Sequence, residues 1–446
     1  MSGRIDFSMG FNSSTVTNKR NLDSRYRIYI LGGFSGCSDV CWEQRKIHSI
    51  NSDSFDQVMS KIMPTANIDS CMQLQFGSLD DFHPDVWLDK VKIIVDLQVL
   101  KRQLSNPVTA AQAAAKIQAL LPAASASPPD ETSHTTEESQ DEMFERLLGK
   151  KSEQPGQTEN TVDQLIQHMV APFVSKSAEP QFQNLIEIID QTLTQCARVI
   201  LHHSNFQRLE ALWLATQALL NEESADEQQF FLVDMSQTEL AEQFENDSQK
   251  LIQTLLQHIQ ASDEEPDVLL VADCSFSDTA QDRQLLAYCN DLAIACGGYF
   301  LAAADQVLAD ESNMQYLADI GADRIMLAYP RFLCRLPYGK KLDPIEKFAF
   351  EECENIPQPE ELLWGCPAFI IARSLIRTSQ PSSSPDALFF SDIPVFSFAK
   401  DGEQILQPGT ESVLTESQAN ALFAAGIMPL IGYRQMRGIR VVGLPD

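Results

Sequence analysis

The sequence predicts a mixed α+β protein: an N-terminal strand-helix domain over 1–121, a disordered acidic linker over 122–160, and an α/β core over 161–446 with helices around a mixed sheet. Three observations carry this expectation. Apolar, strand-like runs at 230–235, 267–273, 299–303 and 325–328 alternate with helical spacing, which is the pattern of an α/β layer. Residues 122–143 change to Pro, Ser, Thr and six carboxylates without a Lys or Arg, too polar to bury enough surface to fold. The whole chain, 446 residues with 44% hydrophobic side chains, exceeds one ordinary domain and holds ample material for a core.

Along the chain, Ile5, Phe7, Met9 and Phe11 alternate with period two and read as a strand, one that can be donated to another sheet. A strand at 25–31 runs into Gly32, Gly33 and Gly36, followed by a strand at 46–50 and a helix from Ser52 that Pro64 ends. A strand at 72–76 precedes a helix over 79–104, whose Val91, Ile94, Val95 and Val99 have amphipathic spacing. Asn106-Pro107 opens an alanine-rich helix reaching Leu120. Inside the linker, Met143, Phe144, Leu147 and Leu148 give a short helix over 141–149, either a docking peptide or a patch that packs on its own domain.

Past Thr161 the spacing is helical through Leu219. Helix starts are marked by Ser236 with Glu239, Asp278 with Gln281, and Thr415 with Gln418, each a capping box. A Ser-Pro stretch at 379–386 separates a helix over 362–376 from final strands within 387–398 and 427–444.

Sixty-two acidic against thirty-three basic residues leave a formal charge of -29, which repels nucleic acid phosphates and anionic headgroups. A basic or neutral protein partner fits that charge, unless it serves only to keep the protein soluble. No run approaches the ~18 apolar residues of a membrane span, and residues 1–12 show no positive stretch before an apolar core. A cytoplasmic protein without membrane insertion is therefore expected. The ten cysteines lack paired metal-ligand spacing and read as reduced and mostly buried.

The search for chemistry assigns no catalytic, cofactor-binding or metal residue, and no cofactor is expected. Gly149-Lys150-Lys151 and Gly339-Lys340-Lys341 both lack the Ser or Thr that completes a phosphate-cradling loop, and Gly297-Gly298 reads as a helix C-cap. His202 and His203 are neighbours on a helix and point apart, so they cannot share a metal. Asp273 and Asp278 flank the end of a strand, where α/β enzymes place catalytic groups; an enzyme or ligand-binding module using the end of the 267–273 strand is the alternative, against a turn former and a cap. The densest unusual segment is Tyr329-Pro330-Arg331-Phe332-Leu333-Cys334-Arg335-Leu336-Pro337-Tyr338-Gly339. Its prolines fix the backbone while Arg331 and Arg335 present forked donors for carboxylates, which suits rigid recognition or an internal ion-pair network.

At these residues the sequence resembles the large sheath subunit of type VI secretion, TssC (VipB), whose signature ends in Arg-x-Pro-Tyr-Gly. The likeness continues in order through 202–213, which begins His202-His203-Ser204-Asn205-Phe206, then Asp273 to Asp278, Phe350-Glu351-Glu352, Leu363-Trp364-Gly365 and Gly426-Ile427-Met428-Pro429-Leu430. The first segment is similar to the small subunit, TssB (VipA), through Gly33-Phe34-Ser35-Gly36, Phe55, and above all Leu79-Asp80-Asp81-Phe82-His83-Pro84-Asp85.

The resemblance implies a structural protein without enzymatic activity, assembling with TssB and TssC subunits as an oligomeric contractile sheath around a tube of Hcp rings. It implies strand exchange through Ile5, Phe7, Met9 and Phe11, and contact with the ClpV ATPase through Phe144, Leu147 and Leu148. Arg331, Arg335 and Tyr338 are the remaining expected partner-binding residues. One departure is that the chain stops at Asp446, soon after the Gly-x-x-Pro-Leu region, whereas TssC continues. That predicts a subunit lacking one half of the exchange, and leaves an ordinary sheath subunit and a sheath terminator, baseplate adaptor or assembly regulator equally open.

Overall fold

The structure, a computed structural model, describes residues 26–36, 40–69, 72–106, 108–120, 182–222, 225–260, 267–309, 322–354, 356–379, 387–400, 402–434 and 437–444. The first strand, β1 (Tyr26–Gly32), is buried at every residue. A continuous apolar run of this kind belongs to a parallel strand covered on both faces. After it come β2 (His48–Ile50), α1 (Phe55–Ile62), and the antiparallel hairpin of β3 (Thr65–Asp69) and β4 (Met72–Gln75). Met63, in a left-handed conformation before Pro64, ends α1 where the proline signal placed its stop.

The single helix expected over 79–104 is divided. A 3-10 turn at Leu79–Phe82 leads to α2 (Pro84–Trp87), a further turn at Leu88–Lys90, and then α3 (Lys92–Ser105). Pro84 is the cause, because a residue preceding proline is forced out of the helical region, and His83 is extended at φ -64, ψ 133. Val91, also extended, makes the second break. The alanine-rich helix is α4 (Ala110–Leu120).

Two long helices, α5 (Phe182–Leu201) and α6 (Ser204–Leu220), lead into the α/β alternation. This runs through β5 (Gln229–Asp234), α7 (Gln237–Gln260), β6 (Asp267–Phe276), α8 (Ala280–Ala295), β7 (Gly298–Ala304) and β8 (Ile325–Tyr329). Short strands β9 (Phe332–Leu333) and β10 (Trp364–Gly365) pair with each other before α9 (Ala368–Thr378). The helix expected from Leu362 therefore begins later. Pro367 sits at its N-cap, and Gly365 lies so close to β9 that an added Cβ would stand 2.5 Å from the Cys334 sulfur.

The last elements are β11 (Phe389–Phe390), β12 (Phe396–Lys400), β13 (Glu403–Gln407), α10 (Glu416–Ala424), β14 (Ile427–Gly432) and β15 (Ile439–Val441). Ser236 and Glu239 exchange the expected capping bonds at the start of α7, as do Thr415 and Gln418 at α10. At α8 the cap shifts by one residue. Thr279 accepts from the Asp282 N–H at 3.1 Å, while Asp278 pairs with Arg283 instead.

Among the described residues nine strands form one sheet in the order β11-β15-β14-β8-β7-β6-β1-β5-β2. The first five parallel strands stand in the doubly wound order 2-1-3-4-5, so the chain reverses its winding between β1 and β6. β1 lies between β5 and β6, with Ile30 opposite Leu232 on one side and Val271 on the other. A strand from the first 121 residues is thus central to the sheet of the following segment. Its alternate side chains serve two cores. Ile28 and Ile30 join Trp213 of α6 and Phe369 of α9, while Tyr29 and Leu31 join Leu251 of α7 and Leu286 of α8.

Candidate functional site

Two places carry the sequence motifs, and each joins the first segment to the second. At the carboxyl end of β1, Gly36 takes a left-handed φ of +72 and lies so near Thr65 that any Cβ would meet its carbonyl oxygen at 2.3 Å. This turn points the Phe34 carbonyl at α6, where the Trp213 indole N–H donates to it at 3.2 Å. The Phe34 and Phe55 rings both meet Trp213 edge-on, at 5.0 and 5.6 Å. The Ser35 N–H donates to Asp234 at the end of β5. Burial raises the Asp234 carboxyl despite that bond and Arg45, which stands 3.5 Å away and pairs with Glu239 at 2.6 Å.

The second place is centred on Arg335. Its Nε donates to Glu210 Oε1 at 2.7 Å, and Nη1 and Nη2 donate to the two oxygens of Glu352 at 2.8 and 3.1 Å. Both carboxylates are inside the protein, 2% and 1% exposed. The guanidinium lies over the Tyr338 ring at 4.2 Å, and the Tyr338 N–H donates to Glu352 at 2.7 Å. Burial alone would raise the Glu352 carboxyl, but Arg335, His202 and the Tyr338 amide outweigh it and hold it at about 2. Glu210 shares the same cation with fewer donors, and its burial prevails and raises its carboxyl. Such a group is costly to leave unpaired.

The first segment docks onto this network through its strongest motif. The His83 ring meets Tyr338 edge-on at 5.1 Å, and Asp85 accepts the backbone N–H groups of Glu346 and Lys347 at 2.9 and 3.2 Å. Beneath it Phe76, Phe82, Trp87 and Phe206 interlock as an aromatic cluster. The adjacent histidines separate as expected: His203 caps α6 by accepting from the Asn205 N–H, while His202 Nε2 stands 3.6 Å from Glu352.

Arg335 and Tyr338 are therefore engaged inside the chain, Tyr338 at 5% exposure. Arg331 makes a forked pair with Glu411 at 2.6 and 2.8 Å, with half of its side chain in solvent. The expected partner-binding residues Ile5, Phe7, Met9, Phe11, Phe144, Leu147 and Leu148 lie outside the described residues. Asp273 of the strand-end alternative borders a cavity of about 160 Å³ with Arg208 and Asn67. Burial lifts its carboxyl to about 6, partly offset by Arg208. Among the described residues no cluster of three or more His, Cys, Asp or Glu could hold a metal, and no helix is long and apolar enough to cross a membrane.

The model of the VipB family, described as EvpB/VC_A0108, tail sheath N-terminal domain, matches residues 183–323 and 321–442. The chain belongs to the VipB tail-sheath family. The VipA model, described as type VI secretion system, VipA, VC_A0107 or Hcp2, matches residues 4–134 of the same chain. Among curated proteins, the type VI secretion system sheath protein TssC1 of Pseudomonas aeruginosa is 25% identical over 313 residues, covering 61% of this chain. The match spans 63% of that relative's length, less than two thirds of it.

In this VipB-family chain the buried network draws on the VipB-matching part, while His83 and Asp85 come from the VipA-matching part. Glu210 is signalled in the sequence only as an isolated acid among the apolar positions of α6, and Glu352 only as part of Phe350-Glu351-Glu352. Sequence reasoning missed Arg373 and Arg377, spaced i, i+4 in an apolar helix, and Glu222, which pairs with both.

Proposed function

We propose that the chain is a structural component of a type VI secretion sheath in the bacterial cytoplasm, as an ordinary subunit or a sheath-associated terminator or adaptor. It acts by protein packing and strand exchange, without catalysis. The observation that supports this reading is the pairing of VipA-type and VipB-type sequence on one chain, with the motifs of each in contact through His83, Asp85 and Tyr338. The two parts act as one folding unit, because withdrawing β1 would split the sheet between β5 and β6. In the assembly, residues 5–11 are donated to a neighbour's sheet by backbone hydrogen bonds, and Arg331 lies on a contact face. The helix expected over 141–149 docks a ClpV-type ATPase; Hcp tube and baseplate components are further partners of the proposed sheath.

Co-expression of the tagged chain with its system's other sheath subunits tests this reading, with co-purification expected. Failure to capture any sheath, tube or baseplate component would contradict it. A protease site placed within 122–160 tests the single folding unit: the cleaved parts are expected to elute together, and separation without denaturant would contradict it.

A further inference from the structure

The last hairpin of the large sheet carries arginines that the fold leaves without carboxylates. β14 and β15 pair with Ile431 opposite Arg440 and Gly432 opposite Ile439. Arg434 and Arg437 therefore lie in the connection, each two residues beyond that last pair. Gly438 takes φ +101 and lies so near β11 that a Cβ would meet the Phe390 carbonyl at 2.6 Å, which holds this arm against the sheet. Arg434, Arg437 and Arg440 are all exposed. Elsewhere on the surface Arg45, Arg283 and Arg331 each meet a carboxylate. Among the described residues no acidic side chain meets any of the three hairpin arginines. Three like charges within seven residues repel one another, and in a chain of net charge -29 their separation from acids points to an anionic occupant.

The complementary charge lies in the same chain. Asp130, Glu131, Glu137, Glu138, Asp141 and Glu142 follow one another without an intervening Lys or Arg. Glu137 stands 17 residues past Leu120, the end of α4, a length that spans up to about 55 Å. A compact chain of this size has a radius of gyration of roughly 22 Å, so the acidic segment can reach the hairpin from α4. The tether keeps it at a high effective concentration there, which favours it over an acidic segment of another molecule. Arginine forks take carboxylates through charge-assisted hydrogen bonds. Nucleic acid and anionic membranes fit less well, because the rest of this acidic protein repels them.

We propose that the β14–β15 hairpin is an intramolecular docking surface for the acidic segment 130–142, held by Arg434, Arg437 and Arg440. The contact presents the adjoining residues 143–148 close to this edge of the sheet. The inference stands apart from the sheath reading, since it needs no other subunit.

Carbodiimide cross-linking of the full chain carrying Arg434→Lys and Arg437→Lys tests it, with peptides mapped by mass spectrometry. Mixing isotope-labelled and unlabelled chains separates links within a chain from links between chains. Links within a chain from the hairpin lysines to 130–142 are expected, roughly threefold or more above those from the exposed Lys61 of α1. They should disappear in about 0.5 M NaCl, where the screening length falls to roughly 4 Å. A second measurement keeps the native arginines as the reference. Cleavage after the glutamates of 130–142 by a Glu-specific protease should be roughly threefold faster at low salt when all three arginines are replaced by Gln. Arg434→Gln with Arg437→Gln, both outside the strands, serves if Arg440→Gln lowers Tm. Absence of links, no excess over Lys61, links only between chains, or equal cleavage rates would overturn the proposal.

Discussion

Arg335 and Glu210 meet at 2.7 Å across 125 positions of sequence, one from the loop after β9 and the other from the middle of α6. The contact fixes the segment after the parallel sheet against the helix that covers it. Glu352 completes the group and Asp85 of α2 accepts backbone N–H groups from the segment that follows Tyr338, so these polar contacts add to the insertion of β1 between β5 and β6 in holding the VipA-like and VipB-like parts together.

Removing the cation should be severe. Arg335→Met leaves two buried carboxylates without their shared cation, and a loss of roughly 3–5 kcal/mol is expected. Arg335→Lys, a point charge without the fork, should recover less than half of it. Urea unfolding monitored by tryptophan fluorescence gives the values; a loss under about 1 kcal/mol for Arg335→Met would refute the assigned role.

Acid should dismantle the same site. The Glu352 carboxyl is held below its ordinary value, at about 2, so its contribution is present above about pH 4.5 and disappears as pH falls from there towards 2. Thermal melts across that window should show Tm falling more steeply in the unaltered protein than in Glu352→Gln. Parallel slopes would mean that this carboxylate does not govern the acid limit.

Asp273 works in the opposite direction. Its raised carboxyl, about 6 against an ordinary 3.8, gives stability that is complete below pH 3.8 and is lost as pH rises through 6. Asp273→Asn should therefore raise stability at pH 8 by roughly 1–3 kcal/mol. A destabilised variant at that pH would show that the ionised form is needed, and would revive the strand-end ligand site.

Asp85 links the two parts at the backbone. Asp85→Ala frees the Glu346 and Lys347 amides, and a cost of about 1–2 kcal/mol is expected. Hydrogen exchange should quicken across 339–351 while β1 remains protected. Uniform exchange throughout the sheet would instead indicate global destabilisation.

Much of the fold was legible because its strands are continuous apolar runs, as in β1, β6 and β8, and because Ser236 and Thr415 announce their helices with caps three residues long. Local signals did not reveal that β1 inserts between β5 and β6, since that pairing spans about two hundred residues and depends on both faces being covered. The amphipathic spacing at 91–99 predicts one helix over 79–104, whereas Pro84 and the extended Val91 divide it. Arg335 and Tyr338 stood out through their prolines and forked donor, but whether they face inward or outward follows from Glu210 and Glu352. Neither carboxylate is close in sequence to both of them.

The sheath role is tested most directly by negative-stain electron microscopy of the purified chain, alone and after co-expression with its system's other sheath subunits. Tubes, or particles seated on sheath ends, are the expected result, with tubes from the chain alone marking an ordinary subunit and end decoration a terminator or adaptor. Single particles that neither assemble nor bind sheath under either condition would contradict it.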